Sequence, residues 1–465
     1  MNSSGFIRIH PQIDYHTRTP DGKGEARAVD WCIPGLWTFA KCLPDQGGNP
    51  FYVDMPWSMG VQSPTSVDTV TGAITSPPTQ HWYSDNLAAA WRDRLTKPVE
   101  ISVITRRPVK RAVLVNCLYP WWGDAVSLLW RTNQLRGSKL AEQGVGIIAL
   151  ITPAMRWLLP PDVDEAWVVP DGVSFNRKWN DGLDAALHER VAKLEECYLP
   201  QIFQPTRMTP EEVARNTGIT PFPREQWLER LKEKPVVTFM YRPDRCWSPP
   251  TSLWHKLEQL LPAGRLGRLR LRLTRLQNDY NASTQYRQII ELADFLRKRF
   301  PNLEFAVAGT GCKPAFPAWI KDLRSEKPDE KSNRASCEQC ARSQVMVSVI
   351  GSHMLLPSAF PGAVINLMPK HMWWDALNCW FLTTDDQREA QFCYRMLPVN
   401  TTPHQVADIV TILLLNYPIN HYAYHHRYEH PLTPEELDRI RSMNAARHDF
   451  IRTLDQNQVG YLLAP

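Results

Sequence analysis

No apolar run in this 465-residue chain approaches the roughly 20 residues needed to cross a bilayer; 144–151 and 409–415 are the longest and stop far short. The opening residues, Met-Asn-Ser-Ser-Gly-Phe-Ile-Arg, lack the apolar core of a secretion signal. The 10 cysteines are scattered, without the paired framework of a disulfide-stapled domain. These absences lead to the expectation of a reduced, soluble, cytoplasmic protein. Neither a Gly-x-Gly-x-x-Gly fingerprint nor a Walker A sequence occurs, so dehydrogenase and P-loop readings lose support. Excess charge is small as well. A net charge of +5 is too mild to argue for nucleic acid, and none is expected as a partner.

Proline and tryptophan are abundant, at 39 and 18 residues, which implies many irregular segments where Trp covers core edges or stacks on ligands. An apolar content of 43% allows sizeable cores, and the length suits two or three domains. Residues 1–105 read as an irregular or β-rich N-terminal extension, with a strand near 51–53, a helix near 84–95 and a strand at 99–104. From 106 to 225 strands alternate with helices, which implies a parallel sheet. Pro221-Phe222-Pro223 reads as a linker, and 226–430 as a second α/β domain opening on the strand 235–241. Residues 431–465 form a last helix, expected to brace the domains. The fold class is α/β with two facing Rossmann-like domains.

The second domain is organised around 344–369. The apolar, β-branched run 345–350 predicts a buried strand, Gly351-Ser352 a turn, 353–361 a short helix, and 363–367 a second strand. In such a βαβ unit the turn lies at the carboxyl edge of the sheet, where ligands bind, and a helix N-terminus there offers free N–H groups to phosphate. Gly351, Ser352 and His353 are therefore candidate phosphate contacts. Ile350-Gly351-Ser352-His353, followed by Leu356-Pro357 and Ala359-Phe360-Pro361-Gly362-Ala363, resembles the His-Gly-Ala-x-Leu-x-Asn and Pro-Gly-Ala motifs of glycosyltransferases with two Rossmann-like domains. Gly and His are transposed here, and Asn366 stands where that family has an acidic residue.

Trp122-Gly123-Asp124-Ala125-Val126, after the strand 111–117, resembles the Gly-Asp segment of bacterial heptosyltransferases, as does Asp162-Val163-Asp164-Glu165-Ala166 farther on. The resemblance implies that Asp124 is a catalytic base, taking the proton of an acceptor hydroxyl. Asp124 also suits an N-cap for the helix that follows. Arg242 and Arg245, after the strand 235–241, match a diphosphate with their guanidinium forks, or form ion pairs in a solvated loop. Gly309-Thr310-Gly311 either admits a nucleotide close to the backbone or simply turns the chain. Trp247 stacks on a base or packs in the core. Cys337-x-x-Cys340 lacks a second pair for zinc, and the histidines 421, 425, 426 and 430 read as an aromatic-rich packed loop.

Arginines 265, 268, 270, 272 and 275 alternate with leucines. That pattern predicts a hairpin with one wet face, with contact to an anionic membrane surface or a charged acceptor as the functional alternative. The resemblance as a whole implies inverting, metal-independent transfer of a sugar from a nucleotide-diphosphate donor, a substrate rather than a cofactor. The acceptor would be a glycan, a lipid-linked sugar or a protein. The rival is a non-catalytic binding or scaffold protein on a degenerate fold of that type.

Overall fold

The computed structural model describes residues 5–55, 65–76, 81–118, 126–171, 178–200, 208–247, 267–370, 372, 392–426, 433–455 and 459. The chain divides into two compact units, one of 1–207 with 215–217 and the other of 208–214 with 218–465.

The first unit holds two sheets. Strand β1 (Phe6–His10) leads into an antiparallel meander of β2 (His16–Arg18), β3 (Glu25–Cys32), β4 (Phe39–Pro44), β5 (Phe51–Asp54), β6 (Ser66–Asp68) and β7 (Ile74–Thr75). Alternation explains these strands: in β3, Ala26 and Ala28 face inward while Glu25, Arg27 and Val29 are exposed. Helix α1 (His81–Arg92) follows, then β8 (Ser102–Thr105). The second sheet has β9 (Arg111–Asn116), β10 (Gly146–Ile151), β11 (Glu165–Val168) and β12 (Glu196–Pro200) running parallel, in the order β12-β9-β10-β11.

Strands β1 and β8 close this sheet as antiparallel edges. Residues 1–105 fall within this unit. One hydrophobic cluster joins Ala28, Trp31 and Val53 of the meander to Leu114, Ile148 and Leu150 of the parallel sheet. A second gathers Trp37, Phe39 and Trp179, with the Phe39 and Trp179 ring centroids 5.2 Å apart.

Between these strands lie α2 (Val126–Arg136), α3 (Lys139–Glu142) and α4 (Asp181–Val191), the last capped by Asn180, whose side chain accepts from the amides of Gly182 and Leu183. Asp162 and Asp164, two residues apart, both make contacts within this unit. The Asp164 carboxylate accepts from the Ile147 amide at 2.8 Å and pairs with Arg107 at 2.6 Å, and Asp162 pairs with Arg136.

Helix α5 (Pro210–Thr217), opened by a Thr209–Glu212 capping box, has residues in both units, and α6 (Trp227–Glu233) follows in the second. Its sheet is wholly parallel: β13 (Val236–Tyr241), β14 (Glu304–Gly309), β15 (Lys321–Asp322), β16 (Val345–Val349), β17 (Ala363–Met368) and β18 (Tyr394–Pro398). The spatial order β15-β14-β13-β16-β17-β18 is the 3-2-1-4-5-6 order of the Rossmann fold. Every residue of β13, β16 and β17 is buried, as parallel strands covered on both faces require. Phe239, Met240 and Val347 are fully buried, each worth about 1.5–3 kcal/mol of apolar transfer.

Helices α7 (Gly267–Arg299), α8 (Glu330–Ala341), α9 (Pro403–His426) and α10 (Pro434–Arg452) complete the unit. Arg299, at the end of α7, reaches α9 through Asp408 at 2.5 Å and Thr411 at 3.1 Å. Arg447 of α10 donates to the Leu415 carbonyl at 2.6 Å and to Asn416 at 2.5 Å, so the last helix packs on α9 of its own unit.

Three expectations are corrected. The arginine-leucine run lies in α7 from Gly267 onward, not in a hairpin. Leucine and arginine are both strong helix formers, and propensity outweighs the alternation. Histidines 421, 425 and 426 continue α9 and do not form a loop; position 430 lies outside the described residues. The helix expected at 353–361 is two short 3-10 turns, Ser352–Met354 and Pro357–Ala359. Pro357 and Pro361 prevent a continuous helix there.

Candidate functional site

In an open α/β sheet, ligands bind beyond the carboxyl ends of the strands where the strand order reverses. In the second unit that point lies between β13 and β16. The chain leaves β13 through Tyr241-Arg242-Pro243-Asp244-Arg245 and leaves β16 through Ile350-Gly351-Ser352-His353. The fold therefore brings Arg242, Arg245, Gly351, Ser352 and His353 to one sheet edge.

Arg242 is buried, with a side-chain exposure of 7%, and its Nε and Nη2 donate to the two Asp244 oxygens at 2.5 and 2.8 Å. That fork is already engaged by a carboxylate of its own loop. Arg245 is half-buried, and its Nη1 approaches the Met372 sulfur at 3.3 Å. A Cβ added at Gly351 would lie 2.9 Å from His353 Nδ1 and 3.1 Å from Arg245 Nε. The missing side chain at Gly351 thus lets an imidazole and a guanidinium pack close to the backbone. Its backbone is extended, so the constraint is one of space, not of dihedral strain.

His353 is 2% exposed, and its Nε2 lies 3.1 Å from Ser348 Oγ. Burial first, and then the positive charges of Arg242 and Arg245, push its pKa well below the ordinary value, so the ring is neutral. A neutral imidazole between two cations leaves the field to the arginines. Ser352 is half-exposed and opens a three-residue turn that is too short to carry a helix dipole.

Gly309 is held by a backbone requirement. Its φ is +113°, and the Tyr241 carbonyl occupies the place a Cβ would take. The glycine lets β13 and β14 end side by side. The loop after it is fixed by Arg324, whose Nη2 donates to the Pro314 carbonyl at 2.6 Å and to Asp322 at 2.7 Å. The Arg324 guanidinium lies over the rings of Phe316 and Tyr241, at 4.3 and 4.9 Å.

Trp247 belongs to the core: it is fully buried, stacks on Phe239 and donates to the Thr401 carbonyl at 2.8 Å. Cys340 packs among the sulfurs of Met240 and Met346 at 3.7 and 3.4 Å. Among the described residues no group of three or more His, Cys, Asp or Glu is placed to hold a metal ion. Asp124, with Trp122 and Gly123, lies outside the described residues.

Sequence reasoning missed two partners in this cluster, Ser348 and Asp244. Ser348 carried a signal, being the single polar residue in the strand Val-Met-Val-Ser-Val. Asn366 sits beside Ser348 in register on β17, fully buried, with no partner for its amide among the described residues.

No protein-family model and no curated protein matches the chain. Among solved structures, E. coli ADP-heptose lps heptosyltransferase II aligns with 66% of this chain and 99% of its own length, at 14% identity and a TM-score of 0.33. The glycosyl transferase family 9 protein from Veillonella parvula DSM 2008 aligns with 67% of this chain and 99% of its own, at 10% identity and a TM-score of 0.38. Among the described residues no helix is long and apolar enough to cross a membrane.

Proposed function

We propose that the protein is a glycosyltransferase that takes a sugar from a nucleotide-diphosphate donor held at the carboxyl edge of the second unit's sheet. The observation that carries this reading is the cluster of Arg242, Arg245, Gly351 and His353 at the point where the 3-2-1-4-5-6 strand order reverses. Two guanidiniums beside a neutral histidine and a side-chain-free glycine suit an anionic leaving group that must approach the backbone closely. Arg245 contacts the diphosphate, and Arg242, anchored by Asp244, adds positive field as negative charge develops on it. Gly309 shapes the neighbouring loop.

The base is Asp124, by its resemblance to the heptosyltransferase segment, and the transfer is inverting. Metal independence is part of this reading because no Asp-x-Asp falls in a donor-side loop of the second unit, the Asp162-Val163-Asp164 spacing lying in the first. The acceptor is a glycan, a lipid-linked sugar or a protein.

The test is release of nucleoside diphosphate from a panel of uridine, guanosine, adenosine and cytidine sugar nucleotides, incubated with the full chain and mixed hydroxyl acceptors. Asp124→Asn should lower turnover by roughly 10²–10⁴ and leave donor binding intact. Donor binding without turnover on any acceptor would favour a scaffold that has kept the site but not the chemistry.

A further inference from the structure

A cavity of about 310 Å³ opens at the amino edge of the second unit's sheet, where β13 begins. The six residues of that strand, about 20 Å at 3.3 Å each, separate it from the carboxyl edge. Phe222, Pro223, Val236 and Ala341 give it apolar walls, and the exposed residues Arg230, Glu233, Lys234 and Arg342 add charge. The walls are fixed by backbone bonds. The Phe222 amide donates to the Phe360 carbonyl at 2.7 Å, and the Phe222 ring meets Trp227 edge-on at 5.6 Å. The Val236 amide donates to Gln344 Oε1 at 2.8 Å, and the Gln344 amide donates back to the Val236 carbonyl at 3.0 Å.

The charge around this cavity is unbalanced. Lys234 and Arg342 pair with Glu304 at 2.8 and 3.4 Å, and the same carboxylate takes Lys321 at 3.6 Å. One carboxylate cannot neutralise three cations. The Arg230 guanidinium forms no hydrogen bond or ion pair among the described residues, and neither does the Glu233 carboxylate. The lining residues and their partners therefore keep an excess of positive charge.

Apolar walls beside surplus cations specify an anion with an apolar body. Inorganic phosphate would pair with the guanidiniums and leave the walls in water. A neutral apolar molecule would cover the walls and leave the cations alone. A carboxylate on a short hydrocarbon does both, since a guanidinium fork matches its two oxygens and the hydrocarbon buries apolar surface. The volume stands at the lower end of small-molecule sites, about 300–1,000 Å³, so that body is small. We propose that this cavity binds a small carboxylic acid as its anion, the carboxylate on Arg230 and Arg342 and the hydrocarbon against Phe222, Val236 and Ala341. The site is separate from the donor edge and does not depend on the donor reading.

The full chain is titrated with hexanoate, benzoate and 3-phenylpropionate, followed by saturation-transfer NMR, beside 3-phenylpropanol and inorganic phosphate. At least one carboxylate should bind saturably, with the alcohol and phosphate roughly tenfold weaker or more, the scale of a charge-assisted hydrogen bond. Arg230→Gln changes an exposed residue and should weaken that carboxylate roughly three- to tenfold with the thermal melt unmoved. Ala341→Phe should fill the cavity and abolish binding in a folded protein. Should that variant not fold, Arg230→Gln combined with Arg342→Gln takes its place and should abolish binding too. Absence of saturable carboxylate binding, equal binding of the alcohol or of phosphate, or carboxylate binding unchanged by these substitutions overturns the inference.

Discussion

The carbonyl oxygen of Tyr241 fills the space that a side chain on Gly309 would need, across the register that pairs β13 with β14. Gly309→Ala must therefore move backbone against backbone and also hold alanine at a φ of +113°. It should destabilise the second unit by about 3 kcal/mol or more, read as a lowered urea midpoint. A shift under about 0.5 kcal/mol would show that the strand ends separate freely.

Gly351 makes the contrasting case. The atoms that would meet its Cβ belong to side chains, His353 Nδ1 and Arg245 Nε, and not to backbone, and its own backbone is already extended. Gly351→Ala should cost stability no more than about 1 kcal/mol. It should weaken nucleoside diphosphate binding by roughly tenfold, the scale of one charge-assisted hydrogen bond. Calorimetric titration beside a thermal melt separates the two effects. Large destabilisation with unchanged affinity would assign Gly351 to the fold alone.

In the first unit His188 stacks on Trp31 at 4.0 Å, and its Nε2 meets Asp30 at 3.1 Å. Burial opposes its charge, but the Asp30 hydrogen bond and the Asp184 carboxylate outweigh burial and raise its pKa from 6.5 to about 9. A raised folded-state pKa means that the protonated ring stabilises the fold. That contribution is full below pH 6.5 and is lost as pH rises through about 9. The stability difference between wild type and His188→Gln, from unfolding curves across that window, should shrink as pH rises. A constant difference would show that the ring's packing, not its charge, is what matters.

Arg299 is 2% exposed at its side chain and joins α7 to α9 through Asp408, which is 19% exposed. Arg299→Met keeps the stem and removes the charge. It should cost about 3 kcal/mol, because it leaves a largely buried carboxylate short of a partner. Asp408→Asn in the same background should recover part of that loss. No recovery would mean that the cost lies in packing.

The parallel sheets were legible because their strands are continuous apolar runs. Val236–Tyr241, Val345–Val349 and Ala363–Met368 stand out from the proline-rich segments around them. The meander was less visible, since strands as short as Ser66–Asp68 and Ile74–Thr75 carry too few residues to show a period. Alternation misled at 267–275, where leucine and arginine follow helix propensity and join a helix that runs on to Arg299. At the site, residue types and strand ends could be read in order along the chain. The particular pairing of Arg242 with Asp244, and the contact of His353 with Ser348, could not. Each depends on a contact whose geometry only the folded loops supply, and in the second case the partner, Ser348, sits on the strand itself.

The central claim is that a nucleoside diphosphate binds at the β13–β16 edge through Arg245. Calorimetric titration of the full chain with uridine, guanosine, adenosine and cytidine diphosphates, repeated on Arg245→Gln, tests it most directly. The account expects one-to-one binding of at least one nucleotide, weakened by about 1.5–3 kcal/mol in the variant, with the thermal melt unchanged. Binding of equal strength in both proteins, or no binding of any of the four, would contradict it.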